Sequence, residues 1–227
     1  MEITYLGHAS FLFATGDTKI LFDPFISPNP LASEIKIEEL KPDYILLSHG
    51  HEDHTADVEA IARQSGATIV ANAEIAGYYQ NKGFEKVIGM NIGGKIFLEF
   101  GSVKMVTAIH SSSFADGSYA GNPGGFVIEA AEKTFYYAGD TALTMDMKLI
   151  GEEYEIDFAI LPIGDHFTMG IEDAVRAADF VGTSKIIGMH YDTFPPIQIA
   201  KTTAMMTAKR AEKELILMEI GETIPFE

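Results

Sequence analysis

Cysteine is absent from this chain of 227 residues. Its absence excludes disulfide bonds and thiolate metal ligands, and with them the structural zinc sites that are built on cysteines. Any bound metal must therefore be held by histidine, aspartate or glutamate, a donor set that suits zinc, manganese, iron or nickel. Histidine itself is scarce, with only seven in the chain, so a local cluster of histidines is informative.

Basic residues are also few, since 16 lysines and arginines stand against 33 aspartates and glutamates and give a formal net charge of −17. A surface of this charge repels nucleic acid unless a local basic patch opposes it. The sequence contains no basic run. We therefore expect no nucleic-acid partner.

Long hydrophobic segments are missing as well. No apolar run approaches the roughly 18 residues that span a membrane, and the opening stretch MEITYLGHAS lacks the basic region of a signal peptide. We therefore predict a soluble, cytoplasmic protein without a membrane partner. Apolar residues still make up 47% of the sequence, enough for the core of a single domain over residues 1–227.

The pattern of apolar residues predicts two strand-and-helix halves around a strand-rich middle. The predicted strands are 2–6, 10–15, 18–23, 43–48, 67–72, 86–89, 95–99, 103–109, 125–130, 134–138, 157–163, 185–190 and 215–218, and the predicted helices are 55–66, 73–83, 171–181 and 198–213. Thr55 is the expected N-cap of the first helix and Gly66 its stop. The alternation favours an α/β fold with two facing mixed sheets and helices outside.

The stretch LLSHGHEDHT (46–55) places three histidines and an aspartate within six positions, directly after a buried strand. Such ligands lie in a loop at the carboxyl end of a strand, where α/β proteins form their sites. Four ligands crowded into one turn cannot all reach one tetrahedral ion. The motif His49, His51, Asp53 and His54 therefore indicates two metal ions.

Three more metal-type residues end predicted strands far apart in the sequence, namely His110, Asp140 and His190. A single shared metal site is a simpler explanation for these three residues than three independent coincidences. Two ions need a bridging carboxylate, and Asp140 is the best candidate for it.

The order of SHGHEDH, His110, AGDT and His190 resembles that of the metallo-β-lactamase superfamily over essentially the full chain. The resemblance implies a four-layer αβ/βα sandwich with the site at the rim between the two sheets. It also implies the ligand sets, with His49, His51 and His110 on one metal, Asp53, His54 and His190 on the other, and Asp140 between them.

Further segments narrow the resemblance. YLGHASFLF, LFDPF, PIGDHFTMG and MHYDTFPP are similar to a largely uncharacterised branch of metal-dependent hydrolases related to ascorbate-6-phosphate lactonase. The common zinc β-lactamases use a cysteine at the second metal, so a true β-lactamase is not expected. The tRNA 3′-end endonucleases share the ligands but usually carry an RNA-gripping arm, for which the sequence has no insertion.

The function implied is that of a dinuclear hydrolase, in which a hydroxide bridging two divalent ions attacks a small-molecule phosphodiester, lactone or ester. Asp53 or Asp140 would orient that hydroxide. Zinc is the first expectation for the ions, with manganese, nickel and iron as alternatives. A non-catalytic metal-binding or sensor protein and, with less weight, a diiron redox protein remain alternatives, and a homo-oligomer stays open.

Four further residues are candidates for a supporting role. His8 follows the first strand and is a candidate proton donor or extra metal ligand. Asp23 is expected to orient a ligand or a loop amide from outside the metal sphere. Glu74 is either an extra ligand or, as we favour, an acidic residue that complements a helix dipole. His166 is a candidate for the rim of the site and for substrate contact.

Overall fold

The structure is a computed structural model that describes residues 1–130 and 133–226. Within these ranges, fourteen strands form two seven-stranded mixed sheets. The strands are β1 (Glu2–Gly7), β2 (Ser10–Thr15), β3 (Thr18–Phe22), β4 (Tyr44–Leu46), β5 (Thr68–Asn72), β6 (Val87–Met90), β7 (Lys95–Leu98), β8 (Gly101–Thr107), β9 (Gly124–Ala130), β10 (Lys133–Tyr137), β11 (Phe158–Pro162), β12 (Lys185–Met189), β13 (Glu214–Ile216) and β14 (Thr223–Pro225).

Helices lie between many of these strands. The α-helices of the described ranges are α1 (Glu52–Thr55), α2 (Val58–Ser65), α3 (Ala73–Asn81), α4 (Asp146–Glu153), α5 (Ile171–Phe180) and α6 (Lys201–Arg210), and three short 3₁₀ turns occur at Pro30–Ala32, Ile37–Glu39 and Pro195–Ile197. Among the described residues, none of these helices combines the length and apolarity needed to cross a bilayer.

The two sheets repeat the same plan. The first sheet has the order β14-β1-β2-β3-β4-β5-β6, antiparallel up to β3 and parallel beyond it. The second has the order β13-β12-β11-β10-β9-β8-β7, parallel up to β10 and antiparallel beyond it. Strands β1, β3 and β4 therefore run in one direction within the first sheet, as do β8, β10 and β12 within the second. The loops after these six strands lie at one edge of each sheet.

Alternation along the strands builds the layers, since successive side chains of a strand point to opposite faces. In β3, Ile20 and Phe22 belong to the core between the sheets, whereas Leu21 packs beneath the helices on the outer face of the first sheet. In β4, Leu46 and Ile45 divide in the same way. The central parallel strands are buried on both faces, and the predicted four-layer αβ/βα sandwich is confirmed.

Aromatic rings fill the space between the sheets. The ring of Phe13 in β2 stacks on Phe135 in β10 with centroids 4.6 Å apart and planes 7° from parallel. Phe135 in turn stacks on Phe158 in β11 at 5.0 Å. This aromatic stack of Phe13, Phe135 and Phe158 packs the first sheet against the second at the centre of the core.

Two details of the sequence prediction are wrong. Thr55 does not cap a helix over 55–66, because it is the last residue of α1 and a second helix starts at Val58. Gly66 ends that helix as predicted, with a left-handed φ of 72°. Helix α4 is missing from the predicted elements, since only Met147 and Ile150 of its eight residues are buried and the apolar stripe is too weak to recognise.

Candidate metal centre

The loops after the six co-directional strands meet at one rim between the sheets. They bring together all seven residues that the sequence singles out as metal ligands, together with one further histidine: His8, His49, His51, Asp53, His54, His110, Asp140 and His190. The structure thus assembles the predicted set from both sheets, while the role of each residue as a ligand stays a prediction.

The first group of donors consists of His49, His51 and His110, whose ligand atoms all lie within 4.8 Å of one another. His49 Nε2 is 2.9 Å from His51 Nδ1. The other ring nitrogen of His49, Nδ1, is 2.9 Å from the Ser48 hydroxyl, which itself donates to Asp23. His49 therefore uses Nδ1–H for support and keeps the Nε2 lone pair free for a metal.

The second group consists of His8, Asp53, His54 and His190, again with ligand atoms within 4.8 Å of one another. His8 Nε2 lies 3.1 Å and His190 Nε2 3.8 Å from Asp53 Oδ2. The main-chain N–H of His190 also donates to the carbonyl of His8 at 2.9 Å. That bond ties the first loop of one sheet to the last ligand-bearing loop of the other.

Asp140 lies between the two groups. Its Oδ2 is 3.5 Å from His110 Nε2 of the first group and 3.0 Å from His190 Nε2 of the second. Its Oδ1 is 3.4 Å from His54 Nε2. One carboxylate in contact with both donor groups has the placement that a bridging ligand requires.

Unsatisfied polar atoms show that the residues fit a cation. Within the described ranges, His54 Nε2 and Asp140 Oδ1 are buried and have no hydrogen-bond partner. Buried polar atoms without partners are costly. Imidazole nitrogen and carboxylate oxygen are the ligand types of zinc and similar divalent ions, so a metal would satisfy both atoms at once.

Charge in the metal-free site is balanced by protons. Burial by itself lowers the pKa of His190, but Asp140 outweighs it and raises that pKa to about 9. Burial likewise lowers the pKa of His54, yet Asp140 and Asp53 hold it well above its usual value. Burial would raise the pKa of Asp140, but His190 and His54 hold it well below the usual range. In the metal-free site the aspartates and these two histidines thus favour one another's charged forms, a balance that a bound metal would change.

Asp23 supports the site from below, in the orienting position that the sequence predicts. Its Oδ2 accepts hydrogen bonds from His54 Nδ1 at 2.8 Å, from the Ser48 hydroxyl at 2.5 Å and from the Tyr137 hydroxyl at 2.8 Å. The bond to His54 fixes its Nδ1 as the protonated nitrogen and directs Nε2 toward Asp140. A carboxylate behind a ligating histidine is the usual arrangement in metal sites.

His8 lies inside the second group and is fully buried. Its Nδ1 is 3.0 Å from the Thr193 hydroxyl, and its Nε2 faces Asp53. Burial and then the charge of His190 lower the pKa of His8 to about 4. The ring is therefore neutral near pH 7, as a metal ligand must be.

Glu74 and His166 lie outside both donor groups, so the structure does not place Glu74 as an extra ligand or His166 beside the metal-type residues. Glu74 is exposed in the first turn of α3, where a carboxylate complements the helix dipole. His166 is exposed on the loop after β11 and lines a separate cavity of about 510 Å³. Neither belongs to the donor groups found in the described residues.

A cavity of about 360 Å³ opens beside the metal-type residues. Its lining residues are His51, Asp53, His110, Ser111, Asp140, Phe167, His190 and Phe194. The volume falls within the roughly 300–1,000 Å³ of small-molecule sites. Sequence reasoning missed Phe167 and Phe194, as it missed Ser48, Tyr137 and Thr193; the only signal for the two phenylalanines is their position in polar, proline- or glycine-bearing loops just after strands.

Comparison with known proteins agrees with this geometry. A family model described as "Beta-lactamase superfamily domain" matches residues 18–191. A protein of Christiangramia forsetii named "UPF0173 metal-dependent hydrolase" is 55% identical over 225 residues, covering 99% of each chain. A protein of the same name from Flavobacterium johnsoniae is 54% identical over 224 residues, also covering 99% of each.

A solved structure shows the same likeness in three dimensions. Igni18, a metallo hydrolase from the archaeon Ignicoccus hospitalis, matches with a TM-score of 0.89 and 36% identity, covering 100% of this chain and 98% of that one. The chain therefore belongs to the metallo-β-lactamase superfamily, together with the relatives named UPF0173 metal-dependent hydrolases.

Proposed function

We propose that the protein is a dinuclear metal-dependent hydrolase that cleaves a phosphodiester, lactone or ester bond in a small molecule. The observation that carries this proposal is the position of Asp140, in contact with both donor groups. Relatives that are about half identical over the full chain are named metal-dependent hydrolases, which supports the reaction class.

The two donor groups divide the ligands. His49, His51 and His110 would hold one ion, and Asp53, His54 and His190, with His8 beside them, the other. Two divalent ions held this way would supply an activated water and polarise the bond to be cleaved. The ligand set contains nitrogen and oxygen donors only, which zinc, manganese, nickel and iron all accept.

The chain's own groups place the reactants. Asp53 lines the cavity, and its side chain is 28% exposed whereas those of His8 and His54 are fully buried. Its carboxylate can accept a hydrogen bond from the attacking water. The Ser111 hydroxyl, which also lines the cavity and lies 3.4 Å from His51 Nε2, can donate a hydrogen bond to a bound substrate.

The test combines metal analysis with turnover. The protein is purified without added metal, analysed for bound elements, and assayed on bis-p-nitrophenyl phosphate and a panel of lactones and esters with zinc, manganese and nickel. We expect about two ions per chain and turnover that an Asp140→Ala variant loses.

Asp173→Ala is the matched control, because Asp173 is a partly exposed aspartate of α5 whose ion-pair partner among the described residues is Arg176 on the same helix. It should retain both metals and activity. Two bound ions without turnover on any substrate would favour a non-catalytic metal-binding or sensor protein, and absence of metal under every condition would refute the proposed site.

A further inference from the structure

The cavity beside the metal-type residues has a polar part and an aromatic part. Six of its lining residues are polar, and the other two are Phe167 and Phe194, which come from different loops. Among the described residues that line it, none is lysine or arginine. Away from the metal-type residues, the cavity therefore offers aromatic surface and no cation that could pair with a distal anionic group.

Phe167 exposes an apolar ring to solvent, an unfavourable position for such a side chain. The residue is 54% exposed, and it follows two consecutive non-glycine residues in the left-handed region, Asp165 (φ 59°) and His166 (φ 56°). Such backbone costs about 1–3 kcal/mol per residue and persists where the surroundings enforce it. An exposed aromatic ring on an enforced loop at a cavity is typical of a binding surface.

The chain next to Asp140 helps to hold this loop in place. The loop is closed by a bridge between Gly164 and Gly170. The main-chain N–H of Met169 donates to the carbonyl of Thr141, the residue after Asp140, at 3.0 Å. Phe167 is thereby fixed relative to the carboxylate between the two donor groups.

Phe194 is positioned by the other side of the site. Its ring centroid lies 5.5 Å from that of His8 and 6.1 Å from that of Phe25. It directly follows Thr193, whose hydroxyl is 3.0 Å from His8 Nδ1. Both phenylalanines are thus anchored to the metal-type residues, one through Thr141 and one through His8.

We propose that Phe167 and Phe194 form a subsite for an uncharged, apolar group of about aromatic size next to the bond that is cleaved. This inference rests on the proposed hydrolase site and adds the substrate class to it. The preferred substrates would be esters, lactones or phosphodiesters with an aromatic or bulky aliphatic substituent. Substrates with a second anionic group at that end would be disfavoured, since the described lining has no lysine or arginine there and the protein carries a net charge of −17.

The test measures binding rather than turnover. Acetohydroxamic acid and phenylacetohydroxamic acid share a metal-binding group and differ by a phenyl ring. Their dissociation constants are determined by calorimetry with the full-length, metal-loaded protein. We expect the phenyl ring to tighten binding about tenfold, and expect 4-carboxyphenylacetohydroxamic acid to lose most of that gain.

Variants then locate the effect. Phe167→Ala and Phe194→Leu should each reduce the gain from the phenyl ring severalfold while leaving metal content and the affinity for acetohydroxamic acid unchanged. Phe97→Ala is the matched control, because Phe97 is also an exposed phenylalanine (80%) but lies on β7 and does not line the cavity. It should keep the full gain.

The outcomes separate the two proposals. If acetohydroxamic acid binds but the phenyl ring adds nothing, or adds as much in both phenylalanine variants as in the wild type, the subsite is refuted and the hydrolase proposal stands. If the charged phenyl compound binds as tightly as the neutral one, the preference for an uncharged group is refuted. If neither hydroxamate binds the metal-loaded wild type, the subsite is refuted and the metal site stands; if the protein takes up no metal, the proposed metal site fails and the subsite fails with it.

Discussion

The carboxylate of Asp23 connects the two donor groups at the scale of single residues. It accepts directly from His54 of the second group, and through Ser48 it reaches His49 of the first. One buried group therefore sets the proton position on a histidine of each group. Such support residues alter metal affinity without touching the metal.

Replacing Asp23 by asparagine should lower metal affinity about 10- to 100-fold. The amide keeps the size of the carboxylate, but its N–H₂ group cannot accept the hydrogen bonds that His54, Ser48 and Tyr137 donate to Asp23. The orientation of His54 is therefore lost. Competition with a chelator measures the affinity. The Asp157→Asn variant serves as control: Asp157 accepts the main-chain N–H of Thr134, as Asp23 accepts that of Ser48, but it lies directly before β11 and belongs to neither donor group. Equal affinities in the two variants would contradict a supporting role for Asp23.

His8 has a backbone φ of 56° and a side chain in the second group. We expect His8→Asn to weaken binding of one of the two ions by at least about tenfold, because asparagine accepts the left-handed backbone but cannot replace the imidazole nitrogen beside Asp53. Metal titration monitored by elemental analysis gives the stoichiometry. His166→Asn is a closely matched control with the same φ of 56° outside both groups, and two tightly bound ions in both variants would show that His8 is dispensable.

At this scale the sequence predicts proximity well and direction poorly. His49, His51, Asp53 and His54 had to lie close together because the covalent chain joins them. The sequence favoured a helix-dipole role for Glu74 and an inward role for His8 but could not settle either, since both follow strands at the same edge of the first sheet. Phe167 and Phe194 were missed because left-handed backbone and tertiary contacts bring them to the cavity.

Among the elements, the segment that links β10 to Asp140 is tightly packed against its neighbours. Gly139 has a φ of 61°, and a Cβ there would lie 2.7 Å from Ser48 Cβ and 2.9 Å from the carbonyl oxygen of Gly124. The loops after β4 and β10 approach so closely only because this residue is glycine. The separation of Asp140 from the histidine loop depends on that contact.

Gly139→Ala should therefore destabilise the protein by about 2–4 kcal/mol, from left-handed strain and overpacking together, and should also weaken metal binding. Denaturant unfolding and chelator competition measure the two effects. Gly182→Ala isolates the strain, because Gly182 has a φ of 78° and a Cβ there would meet nothing within 4 Å. If both variants lose the same amount of unfolding free energy, the close contact with Ser48 contributes nothing to stability.

Strands were the most predictable elements and short helices the least. The apolar runs at 43–48 and 157–163 correspond to β4 and β11, because buried parallel strands leave a strong signal in sequence. Helix α1 has only four residues, too few for a periodic apolar pattern to be recognised in the sequence. The short strand β14 is formed by pairing with β1, and no local sequence pattern predicts it.

For the molecule as a whole, metal binding is coupled to protons. In the metal-free protein the pKa of His190 is raised to about 9 and that of His54 is also raised, so both rings are protonated at pH 7. A metal requires them neutral, and loading at pH 7 should release about two protons per chain. Calorimetry in buffers of different ionisation enthalpy counts them.

The same coupling fixes the direction of the pH dependence. Because protons compete with the metal below the raised pKa values, apparent metal affinity should rise with pH between about 7 and 9. Affinity that falls over this range, or loading without proton release, would contradict the assignment of these histidines as ligands.

The aromatic stack of Phe13, Phe135 and Phe158 has a consequence for how this protein tolerates change. Donors such as His54 and Asp140 belong to opposite sheets, and the stack packs across the gap between those sheets. A substitution in the stack that shifts one sheet slightly against the other would therefore change the spacing of the donors at the rim. We expect metal affinity to respond to such a substitution even where the fold tolerates it with little loss of stability.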